Sequence, residues 1–208
     1  IVFGDWSSDV CSSDLPVKDS LHFIDENFNP SRIKINKGKL LDVGCGDGMY
    51  SKFFSKSSHP FAKLDYYGMD AYPEIINIDK QINPDKNFFQ SEAEKIRAKD
   101  NSFDVVFCSG TLHYTLSNWK KAIKEMARVS KKYVLIARHP VSKYSKSFYV
   151  SQNVRTIFGN EQHHFVVTNR RDLENEFKKN NLIIVDRDYS SEEYKIKGTS
   201  EKVYLLEY

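Results

Sequence analysis

A chain of 208 residues, 40% of them apolar, is long enough to bury one sizeable core, so a single domain is the default. A formal net charge of +3 falls short of the concentrated positive stripe of a nucleic-acid binder, and no run approaches the ~20 apolar residues of a membrane span. The three cysteines, Cys11, Cys45 and Cys108, form neither a C-x-x-C pair nor a disulfide framework, and no signal peptide is visible, which points to a cytoplasmic, reducing compartment.

Residues 1–15 are set apart as a non-native scar, because Asp5 to Leu15 resembles a translated sequencing-library adapter. That stretch holds three acids and no base, so setting it aside raises the net charge from +3 to +6. A single domain is expected over 16–208. Its first element is a helix within Pro16 to Asn29, where Leu21, Phe23, Ile24 and Phe28 recur at helical spacing before Pro30. Lys39 to Val43 is then a strand, followed by the glycine-rich turn Gly44-Cys45-Gly46-Asp47-Gly48 and a helix over Met49 to Ser58. Such a strand, turn and helix N-terminus make a nucleotide-sized cradle in an open α/β sheet.

Asp65 to Met69 is a second strand, and Asp70 just past it lies beside the glycine turn when the two strands are parallel neighbours, in reach of both ribose hydroxyls. Lys86 to Gln90 is a third strand. Asn101 to Cys108 gives a turn and a fourth, with the near-continuous apolar run of a strand covered on both faces. Ser117 to Val129 is an amphipathic helix with Ser117 as N-cap and Trp119, Ile123, Met126 and Val129 as its core stripe. Lys132 to Ala137 is the fifth strand, and Arg138 to Thr168 a long connection. A helix follows over 169–181 with Asn169 and Asp172 as a capping pair, then a terminal hairpin of Leu182 to Val185 with Val203 to Glu207. The sum is an α/β, Rossmann-like, doubly wound seven-stranded sheet, mostly parallel with an antiparallel terminal hairpin.

The spacing of the turn separates two kinds of nucleotide. A dinucleotide site wants G-x-G-x-x-G, but Met49 stands where the third glycine of that pattern would be, which disfavours a nicotinamide oxidoreductase. With Asp42 before the turn, the run Asp42, Gly44, Gly46, Gly48 resembles the D-x-G-x-G-x-G motif of the class I S-adenosylmethionine-dependent methyltransferases, type 11 in particular. The resemblance implies S-adenosylmethionine as cofactor. It places Asp42, Gly44, Cys45, Gly46, Gly48, Asp70, Ala71, Glu92, Ala93 and Ser109 around it, Glu92 standing where the family often has Asp. The stretch Asn101 to Val106 with Leu112-His113 also resembles small-molecule members. The Asp/Asn-Pro-Pro-aromatic turn of amino-group methyltransferases and the Pro-Cys of cytosine enzymes are absent.

Arg138 to Thr168 is basic and aromatic, with Glu161 its single acid, and long connections at the carboxyl edge of such a sheet carry function. Aromatic faces suit sugar rings, while Arg and Lys suit phosphate or carboxylate. The C-terminal half is loosely similar to methyltransferases of surface-polysaccharide gene clusters, which ranks a sugar or nucleotide-sugar acceptor first. Another small metabolite such as a quinone is the alternative, and a non-catalytic cofactor-binding subunit a third. Tyr114, Arg138, Tyr149 and Gln152 are candidates to hold the acceptor. His113 and His139 are candidate general bases, being histidines at the ends of the fourth and fifth strands. Adjacent His163 and His164 point apart, so no metal is expected. The partner expected is a small-molecule acceptor, not nucleic acid; the oligomeric state is not legible.

Overall fold

The computed structural model describes residues 2–3, 32–56, 59–156, 159–189 and 199–207. Apart from residues 2–3, the scar with Cys11 and the helix expected within 16–29 lie outside the described residues. Among the described residues ten strands are present in chain order: β1 (Val2–Phe3), β2 (Gly38–Val43), β3 (Leu64–Asp70), β4 (Asn87–Gln90), β5 (Phe103–Ser109), β6 (Ser130–Ser142), β7 (Phe148–Thr156), β8 (Gly159–Asn169), β9 (Ile183–Tyr189) and β10 (Thr199–Glu207). The α-helices among them are α1 (Met49–Phe54), α2 (Pro73–Ile82), α3 (Trp119–Val129) and α4 (Arg170–Lys179).

Seven strands form the doubly wound sheet expected from the sequence, in the order β4-β3-β2-β5-β6-β10-β9. Pairing is parallel from β4 to β6, and β10 runs antiparallel to both β6 and β9. Alternate residues of the central strands serve two cores. Leu41, Val43, Val106, Cys108, Val134 and Ile136 pack with Ile123 and Met126 of α3 and Phe177 of α4. Leu40, Val105, Phe107 and Leu135 pack with Phe53 and Phe54 of α1 and Ile76 of α2. Cover on both faces is why these strands read as continuous apolar runs.

The Asn169 cap is formed, its Oδ1 accepting the Asp172 N–H at 3.0 Å. Ser117 does not cap α3. A 3-10 segment, Leu112–Asn118, feeds directly into the helix and its turn carries the Trp119 N–H to the Leu116 carbonyl, so no side-chain cap is used. Nor do helices alternate with strands throughout: among the described residues, the stretch between β4 and β5 has no helix. Its backbone is held by α3 instead, with Ile96 N–H donating to Glu125 Oε2 at 2.9 Å, and Arg128 donating to the Ala98 and Ile96 carbonyls at 2.8 and 2.9 Å.

The long connection expected over Arg138 to Thr168 is a correction: it is mostly strand. β6 continues to Ser142, and β7 and β8 form an antiparallel hairpin that extends the sheet through a parallel contact of Val141 and Ser142 with Thr168 and Asn169. The hairpin has its own small core of Val150, Phe165 and Val167, with Phe148 against it, which is what stabilises it as strand rather than loop. β1 pairs with β7 at its outer edge.

β6 also carries a bulge. Ile136 pairs with Tyr204 but His139 with Lys202, so Ala137 and Arg138 together oppose one residue of β10. Arg138 takes the left-handed conformation, φ 53°.

Candidate active site

The turn after β2 is pinned to β3 by its backbone. The N–H groups of Gly44 and Cys45 both donate to the Met69 carbonyl, at 2.8 and 2.9 Å. Gly44 has φ 74°, and a Cβ there would lie 2.2 Å from Thr111 Oγ1, a hydroxyl that reaches the Gly44 carbonyl at 3.3 Å. Gly46 has φ 53° and its missing Cβ faces open space, as does that of Gly110 after β5. Each of the two glycines thus leaves a gap beside it at the carboxyl edge of β2 and β5, where ligands of open α/β sheets bind.

Asp70 ends β3 on the rim of the gap beside Gly46. Its Oδ2 accepts the Gly46 N–H at 3.3 Å and its Oδ1 the Tyr72 N–H at 3.1 Å, which fixes the carboxylate relative to the turn. Ala71 follows at the exposed rim, its carbonyl accepting from Gln90 Nε2 at 3.0 Å. Glu92 is exposed at the turn after β4, while the side chain of Ala93 is part of the core. Ser109 Oγ lies 3.0 Å from the Tyr50 hydroxyl.

Asp42 and Cys45 are turned inward. Asp42 is buried and accepts the Tyr66 hydroxyl at 2.6 Å. Burial pushes its carboxyl up to about 7, against the Tyr66 bond that lowers it, with Asp70, Asp79 and Asp47 adding to the rise. The Cys45 thiol donates to Asp79 Oδ2 at 3.5 Å, and burial raises it far above an ordinary thiol, so it is no nucleophile.

The two histidines come together on the other side of β5 and β6, with ring centroids 6.2 Å apart. His139 is buried, with Nε2 2.9 Å from Thr168 Oγ1 and no hydrogen-bond partner at Nδ1. Half-buried His113 likewise has a buried Nδ1 without a partner. Burial, and then the charge of Arg138, lower His113 to about 3; burial followed by His113 lowers His139 well below the ordinary range. Both imidazoles are therefore neutral at working pH, so each keeps a lone pair on one ring nitrogen.

The β7–β8 hairpin packs against the 3-10 segment and completes this side. Phe165 meets His113 edge-on at 5.7 Å, and Tyr114 lies 4.2 Å from His113 and 6.3 Å from His163. Gln152 pairs with His163 and so shares the hairpin face of Phe165, whereas exposed Tyr149 pairs with Val166 on the opposite face. Arg138 lies within hydrogen-bonding reach of the Tyr50 hydroxyl. Tyr66, Asp79, Thr111 and Thr168 were not singled out from the sequence: each meets its partner from another element, and no local pattern marks such a contact. Among the described residues no group of three or more His, Cys, Asp and Glu could hold a metal ion, and no helix is long and apolar enough to cross a membrane.

A seven-stranded sheet of this order, with a glycine turn after its first core strand and an acid after the second, has the architecture of the class I S-adenosylmethionine-dependent methyltransferases, which the chain resembles in fold and motif. In particular, the family model Methyltransf_11, a methyltransferase domain, matches residues 41–137. The chain is 32% identical over 98 residues to the uncharacterized methyltransferase YcgJ of Bacillus subtilis, a match covering 45% of this chain and 36% of that protein. It is 26% identical over 96 residues to the ubiquinone/menaquinone biosynthesis C-methyltransferase UbiE of Campylobacter jejuni, covering 45% of this chain and 40% of that one. The chain therefore spans less than half the length of these relatives. A crystal structure of a SAM-dependent methyltransferase from Methanosarcina mazei shares the fold, with a TM-score of 0.66 at 17% identity over 87% of this chain and 98% of that one.

Proposed function

We propose that the glycine turn binds S-adenosylmethionine and that the protein transfers its methyl group to a small hydroxylated acceptor held between the 3-10 segment and the β7–β8 hairpin. The observation that carries this reading is the open space beside Gly46 and beside Gly110, two left-handed glycines in the turns that follow β2 and β5. A cofactor fits there because a Cβ at either position would fill the space it needs. Asp70 would hold the ribose, since each of its oxygens spends one lone pair on a backbone N–H and keeps another. Ala71, Glu92 and Ala93 would border the adenine, and Ser109 the methionine end.

S-adenosylmethionine, when bound, supplies an electrophilic methyl group for in-line displacement, so much of the rate comes from orientation. Both imidazoles are neutral, and half-buried His113 would be the ring to meet an acceptor hydroxyl, while buried His139, held by Thr168, would stand behind it. Tyr114 and Gln152 would flank the acceptor, and Arg138 would meet an anionic group on it. A sugar or nucleotide-sugar ranks first because aromatic rings and hydrogen-bonding side chains share this wall. A planar acceptor such as a quinone is the second reading, favoured by the rings of Tyr114 and Phe165 packed against His113 and by the likeness to UbiE.

The test is calorimetric titration with S-adenosylhomocysteine, wild type against Asp70→Ala. Binding by the wild type that weakens at least about tenfold in the variant is expected. A folded wild type that binds NADH instead would overturn the reading. Methyl transfer to a panel of sugars, nucleotide-sugars and quinones, with His113→Ala and His139→Ala as controls, then selects the acceptor.

A further inference from the structure

One strand–helix unit grips the glycine turn from two sides. On the open side Asp70, at the end of β3, accepts the Gly46 N–H. On the closed side Asp79 of α2, fully buried, accepts the Cys45 thiol at 3.5 Å. Gly68 leaves room for that contact, since a Cβ there would stand 3.0 Å from Cys45 Sγ and 2.6 Å from the Phe88 ring. Three buried polar atoms nearby have no hydrogen-bond partner: Asp79 Oδ1, Asn83 Nδ2 and Ser51 Oγ. The first two lie 3.2 and 3.1 Å from where a Gly48 Cβ would be, and Ser51 N–H donates to the Gly48 carbonyl at 2.9 Å. A carboxylate in such surroundings is costly to keep, and a hydrophobic side chain at this helix position would not be.

We propose that Asp79 is a positioning residue for the cofactor: through Cys45 it holds the back of the glycine turn, so that Gly46 presents its N–H to Asp70 and its open side to the ligand. This rests on the methyltransferase reading. The groups facing Asp79 are Cys45 and Asp47 of the turn, Asp70 and Tyr66 of β3, Asp42 of β2, and uncharged Asn83. Burial holds the Asp79 carboxyl up to about 6, although the Cys45 bond lowers it, while Asp47 and Asp70 raise it further. The thiol therefore meets a carboxylate above that pH and a neutral acid below it, and a charged acceptor makes the stronger bond.

The experiment titrates the full chain with S-adenosylhomocysteine at about pH 8 and about pH 5, on either side of the Asp79 transition, with melting curves for every variant. Asp79→Ala should weaken binding about tenfold at the higher pH. Cys45→Ala should lose a similar factor, and the double variant should lose little more than either, because both remove one link. Asp79→Asn, which keeps a neutral acceptor of the same shape, should bind at the higher pH as the wild type binds at the lower one. A purely structural role would lower the melting temperature without this pH signature. Wild-type affinity in Asp79→Ala, losses that simply add, or a wild-type pH profile in Asp79→Asn would each overturn the proposal. If Asp79→Ala does not fold, Asp79→Asn and Cys45→Ala decide. A folded wild type that binds no S-adenosylhomocysteine would remove the methyltransferase reading itself, a result distinct from any of these.

Discussion

Gly44 and Gly46 stand two residues apart in one turn, both left-handed, yet substitution by alanine should damage the protein in different ways. At Gly46 the added Cβ meets nothing within 4 Å, so the folded protein bears only the backbone cost of a left-handed alanine, about 1 kcal/mol. In a domain of this size that is roughly 2–4 °C of melting temperature. At Gly44 the same cost is joined by contacts of 2.2, 2.4 and 2.7 Å with Thr111, which the close packing between the two loops cannot relieve cheaply. Overpacking adds about 1–3 kcal/mol, so the loss is two to four times larger. For the ligand the order reverses. A methyl group at Gly46 projects into the gap, and about 1–3 kcal/mol of the same overpacking, now felt by the cofactor, is a weakening of roughly 5-fold to 150-fold. Differential scanning calorimetry and titration with S-adenosylhomocysteine on both variants make the comparison. Wild-type affinity in Gly46→Ala, or equal destabilisation by the two substitutions, would refute the placement of the cofactor in this gap.

Stability should fall as pH rises from about 4 to about 7, because Asp42 and Asp79 keep their protons up to about 7 and about 6 in the folded chain but lose them near 3.8 when unfolded. Their stabilising contribution is whole below the unfolded value and gone above the folded one, with a slope of up to about 1.4 kcal/mol per pH unit for each. Denaturant titrations across that range check it, and Asp42→Asn should flatten the part nearest neutrality; an unchanged slope would contradict the burial argument. Thr168→Val removes the partner of His139 Nε2 while keeping the shape, and should cost about 1–3 kcal/mol in chemical denaturation together with a fall in turnover. Arg138→Gly relieves a left-handed arginine, so its melting temperature should hold or rise while the acceptor KM increases and the dissociation constant of S-adenosylhomocysteine stays put. A parallel loss in both constants would place Arg138 in the cofactor site instead.

The glycine turn was legible because its signal is local. A motif spanning Asp42 to Gly48 names a turn, and Asp70 follows from it once β2 and β3 pair in register, Asp42 opposite Gly68 and Val43 opposite Met69. The α3 stripe and the Asn169 cap are short-range patterns in the same way. The inward turn of Asp42 was not visible, because its partner Tyr66 comes from the neighbouring strand 24 residues on. Asp79 reads in sequence as one more acid in a polar helix, and only the approach of Cys45 over Gly68 gives it a task. The β7–β8 hairpin escaped because its loop lacks an Asn-Gly or Asp-Gly turn, and its basic residues look like a solvated connection until Val150, Phe165 and Val167 are seen to close a core.

The bulge in β6 joins the two halves of the site. Up to Ala137 the strand alternates regularly, with Leu135 and Ala137 toward α1 and Ile136 toward α3. Without the extra residue His139 would follow Ala137 toward Tyr50 and Phe107, away from His113. With it, Val141 packs on the α3 side, and His139, two residues earlier, reaches Thr168 of β8 and comes within 6.2 Å of His113. The insertion falls where it can do this without disturbing the cofactor. Ser109 still pairs with Ala137 in the regular parallel ladder, and the Gly110 N–H still reaches the Ala137 carbonyl at 3.1 Å, so the gap beside Gly110 is set before the strand is re-aimed. Arg138, the residue left over, takes the strained conformation and lies near both Tyr50 and His113. Strain at one position thus lets a single strand support the Gly110 loop and then turn its next side chain toward the β7–β8 hairpin.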